Sequence, residues 1–504
     1  MDRRKFIKGS ALMTGLLSIS PMDLLASGQT EESKKGQAKN IIFMISDGMS
    51  SGTLSMANLY SRNILGRNTC WMNLYLENRV ARALMDTASA SSIVTDSAAA
   101  SSAFGGGVRV KNGVLNVGAN GERHMPIWQK FKNKGKKAGC VTTVTITHAT
   151  PAGFCINSEK RNAEPEIAEM YAEIGFDVMM GGGDEFFNPE KRTDKKDLYA
   201  VYKQKGYQVL KTRADLSNID RNKKILGVYN TGALPFAVDR AGREELQSTP
   251  SLADMTSAID RNKKILGVYN TGALPFDVDR AGREELQSTP SLADMTSAAI
   301  NHLKDHPDGF VLQVEGGKVD WAAHANDISA LIHDQLAFDE AVKTAVDFAE
   351  KDGNTLVVIT TDHGNANPGT IYGAEATANF DSIAHYKFTN EYILNSIHAN
   401  HNLQQIKDWI FETNRFRLTD EEAKHLLGFY QGLEKEDGLY NYKKLPFKLY
   451  SDIQKKHNSV GWISMDHSGD YVELTMYGPG SNLLKPFVKN TDLHNLMLLA
   501  TGLA

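Results

Sequence analysis

Cysteine is scarce in this chain: Cys70, Cys140 and Cys155 are the only three in 504 residues. That excludes a disulfide scaffold. Cys140 and Cys155 could pair in an oxidising compartment, and the sequence leaves that pairing open. A positive excess is missing too, with 56 basic against 60 acidic residues and a net charge of −4. A dedicated nucleic-acid binder would show a basic footprint. An anionic small molecule is not excluded, because a local cationic site can sit in a mildly acidic protein. No apolar run is long enough to span a bilayer as a helix. Apolar residues are not lacking: they make up 41% of the chain, enough for a sizeable core. The length exceeds one ordinary core, so the chain holds several domains or one large α/β sheet with insertions.

Two stretches change what that length means. Residues 1–26 begin Met1-Asp2-Arg3-Arg4-Lys5, continue through the short apolar run Ala11–Ile19 and end in small residues. This is the pattern of a cleaved signal, and Arg3-Arg4 before Lys5-Phe6-Ile7-Lys8 points to the twin-arginine export type. Export to the periplasm or beyond is expected, with no transmembrane anchor. Residues 27–39 are mostly polar and read as a flexible leader. The second stretch is a tandem duplication. Residues 219–258 and 259–298 share 39 of 40 positions, differing only where Ala237 becomes Asp277. Solenoid repeats normally diverge and come in larger numbers. Two near-identical copies therefore read as a duplication without a function of its own.

Several apolar, β-branched runs end in residues that carry chemistry. The run 40–45 leads into Asp47, 139–146 into His148 and Thr150, 310–314 into Glu315, and 355–359 into Asp362-His363. Runs 176–180 and 225–229 belong to the same class, and Gly181-Gly182-Gly183 after the first of these reads as a structural turn. Continuous apolar runs of this length fit strands buried on both faces. The expected fold is α/β, doubly wound, with a mostly parallel central sheet, helices on both faces and a helical insertion. In such sheets ligands gather at the carboxyl ends of the strands.

Ser97 precedes an alanine-rich, helix-favouring run, so it should sit at a helix N-terminus, where backbone N–H groups favour an anion. Capping by Asp96 or Ser97 explains this stretch equally well. A serine nucleophile needs a base or a metal, and no Gly-x-Ser-x-Gly elbow surrounds this one. Asp320 and His324 are four apart and share one face if helical. With Glu315, Asp362, His363 and His467 they form a carboxylate and imidazole supply suited to an open zinc site, and oxygen donors suit magnesium.

The segments Ile45-Ser46-Asp47-Gly48-Met49, Thr95-Asp96-Ser97-Ala98-Ala99, Thr147-His148-Ala149-Thr150-Pro151, Val314-Glu315-Gly316-Gly317 with Asp320, Thr361-Asp362-His363-Gly364 and His467-Ser468-Gly469 together resemble the alkaline phosphatase family. The resemblance runs from about residue 40 to the end of the chain, the duplication apart. It implies hydrolysis of small phosphate monoesters to alcohol and inorganic phosphate through a phosphoserine on Ser97. It also implies two zinc ions and one magnesium. Asp320, His324 and His467 would hold one zinc, and Asp47, Asp362 and His363 the other. Asp47, Thr150 and Glu315 would hold magnesium, and Arg161 would clamp two phosphate oxygens. His148 and Trp321 occupy positions that vary within the family. His148 would bind a magnesium-bound water or a third metal, and Trp321 would weaken the hold on phosphate.

Residues 371–460 form an insertion with helical patterns, either decorative or a lid over the site. In the duplicated stretch, chain continuity favours the first copy for the strand 225–229 and the second copy for the helix leading into Ala299–Leu303. Rival functions are a phosphodiesterase, sulfatase or phosphomutase of similar architecture, or an inactive phosphate- or metal-binding protein. The oligomeric state stays open, a homodimer included.

Overall fold

The computed structural model describes residues 37–234, 236–240, 289–436 and 439–503. The leader at 1–26, most of 27–39 and most of the second copy therefore lie outside the described residues. Among the described residues the main sheet has ten strands: β1 (Asn40–Ser46), β2 (Ala81–Asp86), β3 (Lys137–Thr145), β4 (Val178–Gly182), β5 (Tyr207–Leu210), β6 (Lys224–Val228), β7 (Phe310–Gly316), β8 (Thr355–Thr360), β9 (Val472–Tyr477) and β10 (Phe487–Lys489). Their spatial order is β10-β2-β9-β8-β1-β7-β3-β4-β6-β5. Only β9 runs against its neighbours, β2 and β8. Thus the sheet is mostly parallel, as the buried apolar runs require.

Alternate residues of β1 serve two separate cores. Ile42 and Met44 point into one, and Ile41, Phe43 and Ile45 into the other. Helices α1 (Ser51–Leu65), α2 (Ser97–Gly106), α3 (Ala149–Cys155), α4 (Leu292–Leu303), α5 (Lys318–His324) and α6 (Ile328–Asp352) divide between them. The first core takes apolar residues of α1, α4, α5 and α6, and the second those of α2 and α3. That is the doubly wound arrangement: a period-two strand with both faces apolar must be covered twice.

Strand β6 comes from the first copy of the duplication and α4 from the second. Ser291 caps α4 by accepting from the Asp294 N–H, and the Asp294 side chain accepts from the Ser291 N–H. This box satisfies two of the backbone donors at the start of α4.

The insertion contains α7 (Leu403–Asn414), α8 (Asp420–Phe429) and α9 (Phe447–Asn458), with shorter helices between. Asn402 with Gln405 and Thr419 with Glu422 form capping boxes that start α7 and α8. Tyr450 on α9 donates to Asn414 Oδ1 at 2.9 Å. Phe380, Ile406, Tyr430 and Tyr450 join the first core. The insertion is therefore continuous with the sheet's own core.

Candidate metal centre and nucleophile

The parallel register sets several candidate groups at one level. Ile45 of β1 is paired with Glu315 of β7 and with Thr360 of β8, and Glu315 is paired with Thr142 of β3. Asp47, Glu315 and Asp362-His363 consequently emerge together at the carboxyl ends of three neighbouring strands, and His148 follows the fourth. Helix α5 then brings Asp320 and His324 back over this edge. Gly48 permits the approach: it has φ +67°, and a Cβ there would lie 2.9 Å from the Asp320 Cα. A side chain at that position would push α5 away from Asp47.

His467 arrives by a different route. Residues His467–Ser468 pair antiparallel with Gly364–Asn365, His467 opposite Asn365. The His467 ring stacks on His363 with centroids 3.7 Å apart. This two-residue ribbon has no hydrophobic periodicity, so the sequence gives no sign of it.

Three groups of ligand atoms result among the described residues: Asp320, His324 and His467; Asp47, Asp320 and His363; Asp47, His148 and Glu315. In the first, His324 Nε2 lies 3.4 Å and His467 Nε2 3.5 Å from Asp320 oxygens. His324 Nδ1 faces the Met465 carbonyl at 2.6 Å and His467 Nδ1 the Thr95 carbonyl at 3.0 Å. With Nδ1 facing a carbonyl, each ring turns Nε2 inward, the orientation a metal ligand needs. In the second, His363 Nε2 is 3.6 Å from Asp47 Oδ1 and 3.3 Å from Asp362 Oδ2. Asp362 belongs here beside the grouped atoms, and its other oxygen accepts from the Gly48 and His363 N–H groups. In the third, His148 Nδ1 is 3.6 Å from Glu315 Oε1, and Thr142 donates to Glu315 Oε2 at 2.6 Å. Thr150, on α3, has a fully buried hydroxyl.

Cations fit these residues. Both Asp47 oxygens, Asp362 Oδ2, Glu315 Oε1 and the Thr150 hydroxyl are buried without a hydrogen-bond partner. Folded proteins rarely leave buried acceptors orphaned. Burial and the neighbouring Asp362 carboxylate push Asp47 well above the usual carboxylate range. Burial alone would lower His324, but the adjacent Asp320 carboxylate carries it to about 9. Burial takes His363 down to about 4. The pocket is thus a cluster of carboxylates that draws a proton onto His324, positive charge that a bound cation would replace, and it offers hard oxygens and imidazole nitrogens.

Ser97 opens α2 and is nearly fully buried. Asp96 is the cap: its side chain accepts from Ala99 N at 3.0 Å, leaving the serine hydroxyl free of that task. Ser97 Oγ lies 3.3 Å from His363 Nε2. Arg161 donates to Asp96 Oδ2 at 3.0 Å and to His148 Nε2 at 3.2 Å, so its guanidinium stands beside the serine's neighbour. Helices α2 and α3 meet without room for a side chain. A Cβ on Gly105 would sit 1.9 Å from the Gly153 carbonyl oxygen. That contact fixes Ser97 relative to Thr150.

Trp321 lies half-buried on α5, its ring 4.4 Å from Lys318 Nζ. The same ammonium lies 3.5 Å from the Phe236 ring. Phe236 belongs to the first copy of the duplication. All sequence-based candidates lie outside the copies, so this route from the repeat to α5 was not foreseen. The signal was weak: an aromatic beside a proline in a loop.

A family model described as alkaline phosphatase matches residues 38–264 and 258–503. The chain belongs to the alkaline phosphatase family. It is a phosphatase of the metal-using kind, and alkaline phosphatases act on phosphate monoesters. Alkaline phosphatase 4 of Bacillus subtilis is 29% identical over 503 residues, spanning 98% of this chain and 95% of that protein. Streptomycin-6-phosphate phosphatase of Streptomyces griseus is 30% identical, covering 72% of this chain and 81% of its own. The crystal structure of Thermus thermophilus alkaline phosphatase superposes with a TM-score of 0.76 at 30% identity, over 97% of this chain and 96% of that one. The two family matches overlap across the junction of the copies, as expected when one template segment meets its counterpart twice.

Proposed function

We propose that this phosphatase hydrolyses small phosphate monoesters through a phosphoserine on Ser97. The observation that carries the reading is Ser97 Oγ, 3.3 Å from His363 Nε2, at a helix N-terminus that faces the orphaned carboxylates. The serine oxygen attacks phosphorus in line, the ester P–O bond breaks, and the alcohol leaves with a proton. Water then attacks the phosphoserine from the side the alcohol left, returning Ser97 and inorganic phosphate. Arg161 offers a planar fork to the two oxygens that are not transferred, which a lysine could not match bidentately. The α2 N–H groups add partial positive charge where the phosphoryl group rests.

Asp320, His324 and His467 would hold one zinc, and Asp47, Asp362 and His363 a second. Asp47, Thr150 and Glu315 would hold magnesium. When bound, the ions lower the pKa of hydroxyl and water and offset charge on the phosphoryl oxygens. His148, whose Nε2 accepts from Arg161, turns Nδ1 toward Glu315 and suits a bond to a water on that ion. Residues 1–26 are read as an export signal that places the enzyme in the periplasm or outside the cell.

The test is turnover of 4-nitrophenyl phosphate with zinc and magnesium, against the diester and sulfate analogues. Wild type should prefer the monoester, and Ser97→Ala should lose at least a thousandfold in kcat. Equal turnover of the diester or sulfate, or an active Ser97→Ala, would overturn the reading.

A further inference from the structure

We propose that Cys140 and Cys155 join in a disulfide that staples the two ends of the segment carrying Thr142, His148 and Thr150. Their sulfurs are 3.6 Å apart, and both side chains are buried. Cys140 lies in mid-β3 and Cys155 is the last residue of α3. The backbone beside each is held by consecutive residues of one neighbouring helix. Trp128 Nε1 donates to the Gly139 carbonyl at 3.0 Å, and Gln129 Nε2 to the Cys155 carbonyl at 2.8 Å. The close approach is therefore fixed by the packing around it. The third cysteine, Cys70, is half-buried and packs against the other core.

The stapled segment explains what a cross-link would do. It supplies Thr142, which donates to Glu315, and His148 and Thr150, whose Nδ1 and hydroxyl are buried without partners. Orphaned polar atoms favour opening of the segment until a cation arrives. A covalent tie across its base restricts that opening, and a closed loop also constrains the unfolded chain.

The bond forms by exchange with a disulfide-bearing oxidant. One cysteine thiolate attacks a sulfur of that disulfide and releases one thiol. The second cysteine attacks the mixed link and releases the other. The pair loses two electrons and two protons, and the oxidant is reduced to two thiols. Burial pushes the Cys155 thiol well up, so the thiolate is scarce and exchange in the folded protein is slow.

Formation in the cell rests on the export reading; refolding in vitro tests the pair independently of it. The full chain is refolded with oxidised or with reduced glutathione, denatured, and alkylated with iodoacetamide. After oxidative refolding one cysteine, Cys70, should be alkylated, and peptide mapping should show a 140–155 link. Three alkylated cysteines, or a link to Cys70, overturns the proposal. The oxidised enzyme should melt several degrees above the reduced one, with slower amide exchange in residues 141–154. Cys155→Ala should melt alike in both buffers. Equal melting and exchange of oxidised and reduced wild type sinks the stapling role, whatever the activity or location of the enzyme.

Discussion

Gly48 shows how a single missing side chain sets the geometry of the centre. Its positive φ and the nearby Asp320 backbone leave no space for a methyl group. Gly48→Ala should push α5 outward and separate Asp320 from Asp47. We expect kcat to fall at least a hundredfold and bound zinc, read by elemental analysis, to drop below wild type while the far-UV spectrum is kept. Asp47, Asp362, His363, Glu315 and Asp320 were legible in the sequence because each ends or follows a strand written as a continuous apolar run. His467 could be read only as one member of a carboxylate and imidazole supply, and the ligand set it joins came only from family resemblance. Its position depends on a two-residue ribbon, and pairing between segments a hundred residues apart leaves no local pattern. The role of Asp96 as the helix cap was one of two readings, and the Ala99 N–H decides between them.

At the level of elements, strands buried on both faces were read nearly to their ends. Strands β2, β5, β9 and β10 were not. In β2 buried residues alternate with exposed ones, and β5 and β10 are short edge strands. Such segments resemble ordinary amphipathic loops. The helical patterns of the insertion correspond to α7 and α8, which the structure starts with capping boxes. One contact between elements makes a prediction about pH. Asp339 on α6 accepts from the Cys70 and Trp71 N–H groups, at 2.6 and 2.9 Å, and so holds the start of the helix Cys70–Leu76. Burial raises its pKa to about 6, from 3.8. The folded state therefore binds this proton more tightly than the unfolded chain. Its stabilising effect is complete below about pH 4 and is lost as pH rises through 6. The melting temperature of Asp339→Asn should be lower at acid pH but fall less between pH 4 and 6.5 than that of wild type. Parallel curves would show that Asp339 does not titrate in this window.

Over the whole molecule, ion binding should be coupled to folding. Several buried acceptors have no protein partner, so removal of the ions should destabilise the chain as well as silence it. Dialysis against a chelator should lower the melting temperature by several degrees, and zinc with magnesium should restore it. An unchanged melting curve would mean that the centre is stable without its cations. The duplication makes a further test. Deleting residues 241–280 joins Arg240 to Ala281 and leaves one intact copy of the forty-residue unit. All candidate catalytic residues, Phe236 and α4 are retained. This shortened enzyme should keep wild-type kcat and melt at the same temperature or higher, because loop closure favours the shorter chain. Loss of folding would show that the extra copy supports the structure.

Among the described residues the sheet holds one strand of the sequence Ile-Leu-Gly-Val, and the sequence carries that run twice. The chain therefore carries its own spare part. A lesion in the first copy, such as Leu226→Pro, can be complemented in cis by a forty-residue slip that brings in the second. Leu226→Pro and Leu266→Pro should each leave measurable activity in cell extracts, and only the double variant should abolish it. Such a chain tolerates mutation in this strand as a diploid tolerates a recessive allele, until one copy drifts or is deleted.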